Sequence, residues 1–355
     1  MDNNYCIIMA GGVGSRFWPY STDEKPKQFL DFQNCGRSMI QMTCDRLKGI
    51  IKPENIVIVT NRRYHNMILE QLPEVDQNNV LTEPLRRNTA PCIAYATYRI
   101  ARRCKNANIA VLPSDHLVAN TEEFRRVMNE GLRFTDANDA LLTLGVKPSR
   151  PETGYGYIQF AEGEGELRKV KTFTEKPNRE MAEVFVESGE FCWNAGIFVG
   201  RAEVMIEAYR RMLPEMAECF EAGNEHYYTA NEQKWIDQVF PALQNISIDY
   251  GIMEKAENVY VLLSDFGWSD MGTWSSLYEL SPKDEQANST VNGQAQFYRS
   301  QNNLVVIGDE EMAVIDGLEG YLVAHSNGKL LICKKDDEAR IRQFVDNAKK
   351  MITEK

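Results

Sequence analysis

Ten residues near the amino terminus, Ala10-Gly-Gly-Val-Gly-Ser-Arg-Phe-Trp-Pro19, combine glycines with a cation, and Lys25-Pro-Lys-Gln28 follows closely. They come directly after an apolar run, Tyr5 to Ala10, that reads as a strand. Glycines in such a loop let backbone N–H groups come close to phosphate oxygens. Two familiar phosphate-binding patterns are excluded. GxxxxGK[ST] fails because no Lys-Ser or Lys-Thr follows these glycines. GxGxxG fails because Gly12 and Gly14 fill its first two places but Phe17 takes the third. A plain tight turn would also use the glycines, but it has no need of Arg16 and Lys27. Their charge suits a triphosphate of about −4. Gly11, Gly12, Gly14, Ser15 and Arg16 are therefore candidate nucleotide-binding residues, with Lys27 assisting.

Carboxylates supply the second set. Asp115 follows Pro113-Ser114 at the end of an apolar run, which places it at the carboxyl edge of a sheet. A carboxylate there suits Mg²⁺, which takes oxygen ligands and often only one or two protein carboxylates beside phosphates. The same residue would also serve as a helix N-cap. Glu83 leaves another strand end. A carboxylate there, or backbone carbonyls nearby, would accept from neighbouring donors on a nucleotide base. Asn88 and Thr89 fit the same nucleotide region or simply start a helix at Ala90-Pro91.

Composition excludes several classes. Lys plus Arg is 40 against 51 Asp plus Glu, a net charge of −11. That disfavours a nonspecific nucleic-acid binder or a membrane-surface protein. No apolar run reaches the roughly 20 residues of a membrane span. The opening residues Met1-Asp2-Asn3-Asn4 are polar and lack the basic flank expected of a signal peptide. The eight cysteines include no CxxC, so they read as reduced thiols and point to the cytoplasm. The four histidines form no HxH or HExxH, which argues against zinc.

The elements that must carry these residues alternate regularly over the first 150 positions. Strands are expected at Tyr5–Ala10, Ile56–Thr60, Val80–Glu83, Ile109–Leu112 and Leu141–Val146. Helices fall between them, including Thr89–Arg103 and Phe124–Phe134. This is an α/β pattern with a mostly parallel sheet covered on both faces. Strands at 157–160, 167–173 and 192–199 suggest an inserted, partly antiparallel substrate region, with helices at 178–188, 201–212 and 229–239. The polar stretch Pro282 to Gly293 reads as a linker. Short apolar pieces at 304–307, 312–315, 321–324 and 330–333 read as a small β appendage, closed by an amphipathic helix over 336–350. The expected domains are 1–284, catalytic, and 285–355, small and β-rich.

The glycine loop with Lys-Pro-Lys-Gln resembles the sugar-1-phosphate nucleotidyltransferases, and within them the mannose-1-phosphate guanylyltransferase branch. The resemblance continues through Glu83-Pro-Leu-Arg-Arg-Asn-Thr-Ala-Pro91, Pro113-Ser-Asp-His116 and Gly154-Tyr-Gly-Tyr-Ile158. It goes on through Phe173-Thr-Glu-Lys-Pro177, Trp193-Asn-Ala-Gly-Ile-Phe198, Asp249-Tyr-Gly-Ile-Met-Glu254 and Trp268-Ser-Asp-Met-Gly-Thr-Trp274. These motifs stand in family order over most of residues 5 to 280.

The resemblance implies a Rossmann-like doubly wound mixed sheet of the nucleotide-diphospho-sugar transferase type. It also implies a left-handed β-helix-like tail that helps form a homodimer. It implies an Mg²⁺-dependent enzyme joining GTP and mannose 1-phosphate into GDP-mannose, with Asp115 and Asp270 as metal ligands. Asp270, beside Gly272, would otherwise shape an Asx turn. Arg16, Lys27 and Lys176 are implied as the catalytic cations. Glu175 would accept hydrogen bonds from sugar hydroxyls, and Lys176 would hold the sugar's phosphate. Asn194 would bind a hydroxyl where Gly196 removes bulk, and Tyr155-Gly156 would close over the sugar or form a packed hairpin turn. Asp249 is a fainter candidate. The form expected is the single-function one, with no metal-binding isomerase portion. Alternatives are a guanylyltransferase for another manno-configured sugar phosphate, such as a heptose, and an inactive nucleotide-sugar-sensing subunit. The intact set of Arg16, Lys27, Asp115, Lys176 and Asp270 favours an enzyme.

Overall fold

Short β-branched runs dictate the first strands of the computed structural model, which describes residues 3–353. By internal contacts the chain divides into two units: residues 1–11, 44–114 and 118–268, and residues 12–43, 115–117 and 269–355. The boundary expected at residue 284 falls inside the second.

The first unit is built on nine strands: β1 (Asn4–Ala10), β2 (Ile56–Asn61), β3 (Val80–Glu83), β4 (Asn108–Pro113), β5 (Leu141–Val146), β6 (Gly156–Phe160), β7 (Leu167–Glu175), β8 (Phe191–Arg201) and β9 (Val259–Ser264). They lie in the order β3-β2-β1-β4-β8-β5-β9-β7-β6, with β6 also pairing β8. The sheet is mixed. β3, β2, β1 and β4 are parallel, with Ile7 set between Val57 and Val111. All three of those side chains are buried, as continuous apolar strands covered on both faces should be. Because these four strands run the same way, Ala10, Asn61, Glu83 and Pro113 end at one edge of the sheet, the edge where open α/β sheets bind ligands.

Two features of this sheet depart from the sequence reading. The strands after residue 150 are not a separate insertion. β8 enters the same sheet antiparallel between β4 and β5, so the segment expected to bind substrate is continuous with the core. β9, which the sequence reading misses, pairs parallel with β5. Helix α1 (Thr89–Arg103) lays Ile93, Tyr95, Tyr98 and Ile100 into the main apolar cluster. Helix α2 (Thr121–Ala137) is capped by the Asn120 side chain. Helix α3 (Glu232–Val239) starts three residues later than the periodicity suggests.

The second unit packs Phe17, Phe32, Trp274, Leu304, Leu322 and Ile341 into one cluster. Its C-terminal part stacks short strands: β10 (Ser289–Val291), β11 (Gln294–Tyr298), β12 (Leu304–Val306), β13 (Met312–Asp316), β14 (Tyr321–Ser326) and β15 (Lys329–Lys334). β10, β12 and β14 form one parallel stack, β11 and β13 a second, and β15 folds back antiparallel on β14. The segment 282–293 is ordered rather than a linker. Asn288 is 2% exposed and donates to the Ser300 carbonyl, and β10 begins at the next residue. Asn303, fully buried, donates to the Asn288 side chain and the Leu318 carbonyl and accepts from the Tyr321 amide. The closing helix α4 (Ile341–Thr353) follows a 3-10 stretch, Lys335–Arg340, so it starts later than expected.

Candidate active site

From Gly12 onward the glycine loop belongs to the second unit, where it is organised around Lys27. The Val13 carbonyl accepts from the Lys27 amide at 3.1 Å and from the Ser21 hydroxyl, and the Gly12 carbonyl accepts from the Gln28 side chain at 3.0 Å. Gly14 sits at φ +69°, and a Cβ there would lie 2.4 Å from the Lys27 Cβ. Only glycine satisfies both the left-handed backbone and that approach. Arg16 lies exposed in the 3-10 turn Ser15–Phe17.

Lys27 is 2% exposed, yet its Nζ finds two oxygens: Asp115 Oδ2 at 3.1 Å and the Asp270 carbonyl at 2.7 Å. One ammonium therefore links the two carboxylate positions. Burial opposes ionisation of Asp115, but Lys27 and His116 more than offset it, and the carboxyl sits below its ordinary range. The Asp270 Oδ1 also accepts the Gly272 amide at 2.7 Å, the Asx turn weighed from sequence. Among the described residues no group of three or more His, Cys, Asp or Glu is placed to hold a metal. Two oxygen-donor carboxylates without His or Cys are still a donor set that suits Mg²⁺, whose other ligands come from phosphates and water.

The first unit carries another set of the residues expected from sequence. Glu83, at the end of β3, is 5% exposed, and its Oε1 is buried with no hydrogen-bond partner. Burial pushes its carboxyl up to about 8, against smaller opposing effects from Cys92 and Arg86. A Cβ on Gly11 would meet the Glu83 Oε2 at 3.8 Å. Asn88 accepts from the Thr89 amide, and the Thr89 hydroxyl accepts from the Ile248 amide at 2.9 Å, so both side chains build the start of α1.

Four strands and a π-helical turn gather a second cluster. Gly156 pairs with Glu175 across β6 and β7, and a Cβ on Gly156 would lie 2.4 Å from Glu175 Oε2. Lys176, at φ +50°, reaches back to Glu175 Oε1 at 2.5 Å and is 59% exposed. On β8, Asn194 donates to Asp249 Oδ1 at 2.8 Å, while its own Oδ1 accepts from the Gly196 amide and the Thr143 hydroxyl. Gly196 holds φ +66°. Burial and the neighbouring Glu175 push Asp249 up to about 6, against the Asn194 hydrogen bond. The turn Asp249–Met253 is π-helical, a distortion frequent at functional sites. Tyr155 is 7% exposed, its ring edge-on to Trp193 and Trp268 at 5.1 and 5.0 Å.

Sequence reasoning missed Thr143, which orients Asn194 from a neighbouring strand, and Cys92, which lies one helical turn into α1 beside Glu83. No local motif announces either.

A fold with this sheet and these strand-end clusters is that of nucleotidyl-transfer enzymes. The chain belongs to the nucleotidyl transferase family, whose model matches residues 5–287. Its relatives include the mannose-1-phosphate guanylyltransferases. One from Escherichia coli is 33% identical over 351 residues, 96% of this chain and 75% of that one. Another from Klebsiella pneumoniae is 35% identical over 349 residues, 96% of this chain and 73% of that one. Among solved structures, a Thermus thermophilus protein described as a mannose-1-phosphate geranyltransferase superposes with a TM-score of 0.87 at 30% identity, over 98% of this chain and 99% of that one. Among the described residues no helix is long and apolar enough to cross a membrane.

Proposed function

We propose that this enzyme transfers the GMP unit of GTP to α-D-mannose 1-phosphate, forming GDP-mannose and releasing pyrophosphate. A phosphate oxygen of the sugar phosphate attacks the α-phosphorus in line. The bond from that phosphorus to the bridging oxygen of the β-phosphate breaks, and pyrophosphate leaves with the electron pair. The attacking group is already an anion, so no covalent enzyme intermediate is needed. The protein's task is positioning and charge stabilisation.

The observation that carries the proposal is the buried Lys27 ammonium joining Asp115 to the Asp270 backbone. A buried charge is costly to keep, and its place between Asp115 and Asp270 supports an enzyme over an inactive sensing subunit. In this reading the glycine-loop amides and Arg16 take the triphosphate and the departing pyrophosphate. Asp115 and Asp270 would hold Mg²⁺, which supplies Lewis-acid charge to phosphate oxygens. Glu83, with an unused buried oxygen, accepts from the guanine N1–H and N2–H₂. Lys176 holds the sugar's phosphate, and Glu175 and Asn194, braced by Asp249, take its hydroxyls. The parallel stacks β10–β12–β14 and β11–β13 support a β-helix-like tail. The exposed apolar side chains Tyr298, Met312, Val314, Leu330 and Ile332 on that tail support the homodimer.

The test is pyrophosphate release with Mg²⁺ and mannose 1-phosphate, with GTP, ATP, UTP and dTTP offered separately. Release with GTP alone is expected. Release with another nucleotide overturns the role given to Glu83. Silence with all four, from folded protein that binds GTP, overturns the choice of acceptor or the catalytic reading, and a heptose 1-phosphate decides which.

A further inference from the structure

At the amino-terminal end of β3, at the far end of the strand from Glu83, lies a cavity of about 980 Å³. That volume is at the upper end for small-molecule sites. It is lined by the turn before β3, the last turns of α1 and the segment leading into α3. Arg99, Arg102, Arg103, Asn78, Tyr228 and Glu232 face it. In a chain of net charge −11, a hollow with three arginines is a local reversal of sign.

Arg99 is the informative residue. It is 4% exposed and fixed on several sides. Its Nε donates to Glu232 Oε1 at 2.7 Å, its Nη2 to the Asn78 carbonyl at 2.8 Å, and its guanidinium lies 3.9 Å from the Tyr228 ring centroid. Nη1 has no partner and is buried. An unsatisfied donor on a buried cation is expensive, and it is retained here although polar side chains line the same cavity. Glu232 does not relieve it. That carboxylate already accepts from the Tyr95 hydroxyl, from Arg99 Nε and from the Tyr228 amide. Asp76, the other acid lining the cavity, accepts from the amide and side chain of Asn78. Tyr228 holds φ +61°, a strained backbone for a tyrosine, fixed by its stacking on Arg99 and its bond to Glu232.

Ordinary packing accounts for part of this. Arg102 and Arg103 lie in the last turn of α1, where cations suit the helix dipole, and Arg102 Nε donates to the Asn224 carbonyl. Packing does not account for the unsatisfied Nη1 or for the open volume that Arg99 helps to line.

We infer that this cavity is a second binding site, distinct from the residues assigned to catalysis, for a phosphorylated small molecule. Its phosphate accepts from Arg99 Nη1 and from the exposed guanidinium groups of Arg102 and Arg103, while Tyr228 borders the remainder of the ligand. The occupant sits beside a hydrogen-bonded path to the nucleotide end of the strand. Glu232 adjoins Gln233, which exchanges two hydrogen bonds with Thr82, and Thr82 precedes Glu83.

The inference concerns binding and does not depend on the reaction proposed above. It is tested by hydrogen–deuterium exchange on the full chain with inorganic phosphate, GDP and mannose 1-phosphate as separate probes. At least one is expected to slow exchange in residues 76–81 and 226–233. Which probe does so separates a bare anion, a nucleotide and a sugar phosphate as the source of the shared chemistry. The double variant R102A/R103A alters exposed side chains and keeps the buried pair. It should weaken that protection on the order of tenfold in probe concentration. Arg99→Lys keeps a cation for Glu232 but removes Nη1, and should weaken it at least as much. Protection confined to residues 11–16, 83–89 and 175–196 with all three probes overturns the inference. So does protection of 76–81 and 226–233 that is unchanged in both variants.

Discussion

Glu83 should make guanine recognition depend on pH around 8, far above the range in which an ordinary carboxylate site titrates. Its carboxyl lies at about 8 because burial disfavours the charge. Guanine offers two donors, so the bound form needs the carboxylate, and binding at neutral pH must expel a proton. The apparent dissociation constant is the intrinsic one divided by the ionised fraction. That fraction is roughly a tenth at pH 7 and three quarters at pH 8.5 for a group at about 8, so GTP should bind about eightfold more tightly at the higher pH. Calorimetry in buffers of different ionisation enthalpy should detect nearly one proton released per GTP at pH 7. Glu83→Gln removes the titration and an acceptor together. It should bind GTP on the order of tenfold or more weakly at pH 8.5, with only the pH slope that the phosphates themselves contribute. The nucleotide-free protein carries the counterpart in stability. A raised carboxyl favours the fold fully below its unfolded value of about 4.5, and that contribution is lost as pH rises through about 8. Equal pH slopes in the wild type and Glu83→Gln would refute the assignment.

Arg16→Ala should lower turnover by on the order of 10²–10³, as other lost transition-state donors do, while leaving thermal stability unchanged because the side chain is exposed; near-normal turnover would remove Arg16 from the role. Gly156→Ala places a methyl 2.4 Å from Glu175 Oε2, the far end of a flexible side chain. Folding should survive, and the KM for mannose 1-phosphate should rise roughly tenfold, the worth of one charged hydrogen bond; an unchanged KM would separate Glu175 from the sugar. Lys27→Met leaves Asp115 unpaired and the Asp270 carbonyl without its donor. Denaturant titration should register a loss of about 1–3 kcal/mol, and steady-state assays should register little remaining turnover. Full activity in that variant would sink the reading that carries the proposed function.

Much of the scaffold was legible because buried parallel strands leave short, dense apolar runs, such as Ile56 to Val59, whose strand character needs no knowledge of distant chain. What stayed hidden was pairing at a distance. Nothing near Phe191–Arg201 announces that it lies antiparallel between strands beginning at Asn108 and Leu141. Val259–Ser264 is of the expected type, but it stands between two motifs that drew the reading elsewhere. Residues 282–293 read as a linker because they are polar, yet here polarity serves internal bonding, with Asn288 satisfied inside the stack. At the site, the identities of Glu83, Asp115, Glu175 and Asn194 were readable, but their electrical state was not. The rise at Glu83 comes from burial that only the assembled sheet creates, and the link from Lys27 to Asp115 and Asp270 spans 243 residues of chain.

The two buried asparagines of the C-terminal stack bear on how this region responds to damage. Asn288 bonds to Ser300, and Asn303 holds Asn288 on one side and Leu318 and Tyr321 on the other. Each rung therefore satisfies polar groups belonging to its neighbours. Stacked coils of this kind derive much of their stability from interfaces between adjacent rungs. Here those interfaces include amides that cannot be abandoned singly without stranding a buried partner. Opening one rung accordingly strands buried polar groups of the next. Trimming the stack at one asparagine should therefore undo the neighbouring turns with it, and length changes in this region should be tolerated by whole coils rather than by single residues.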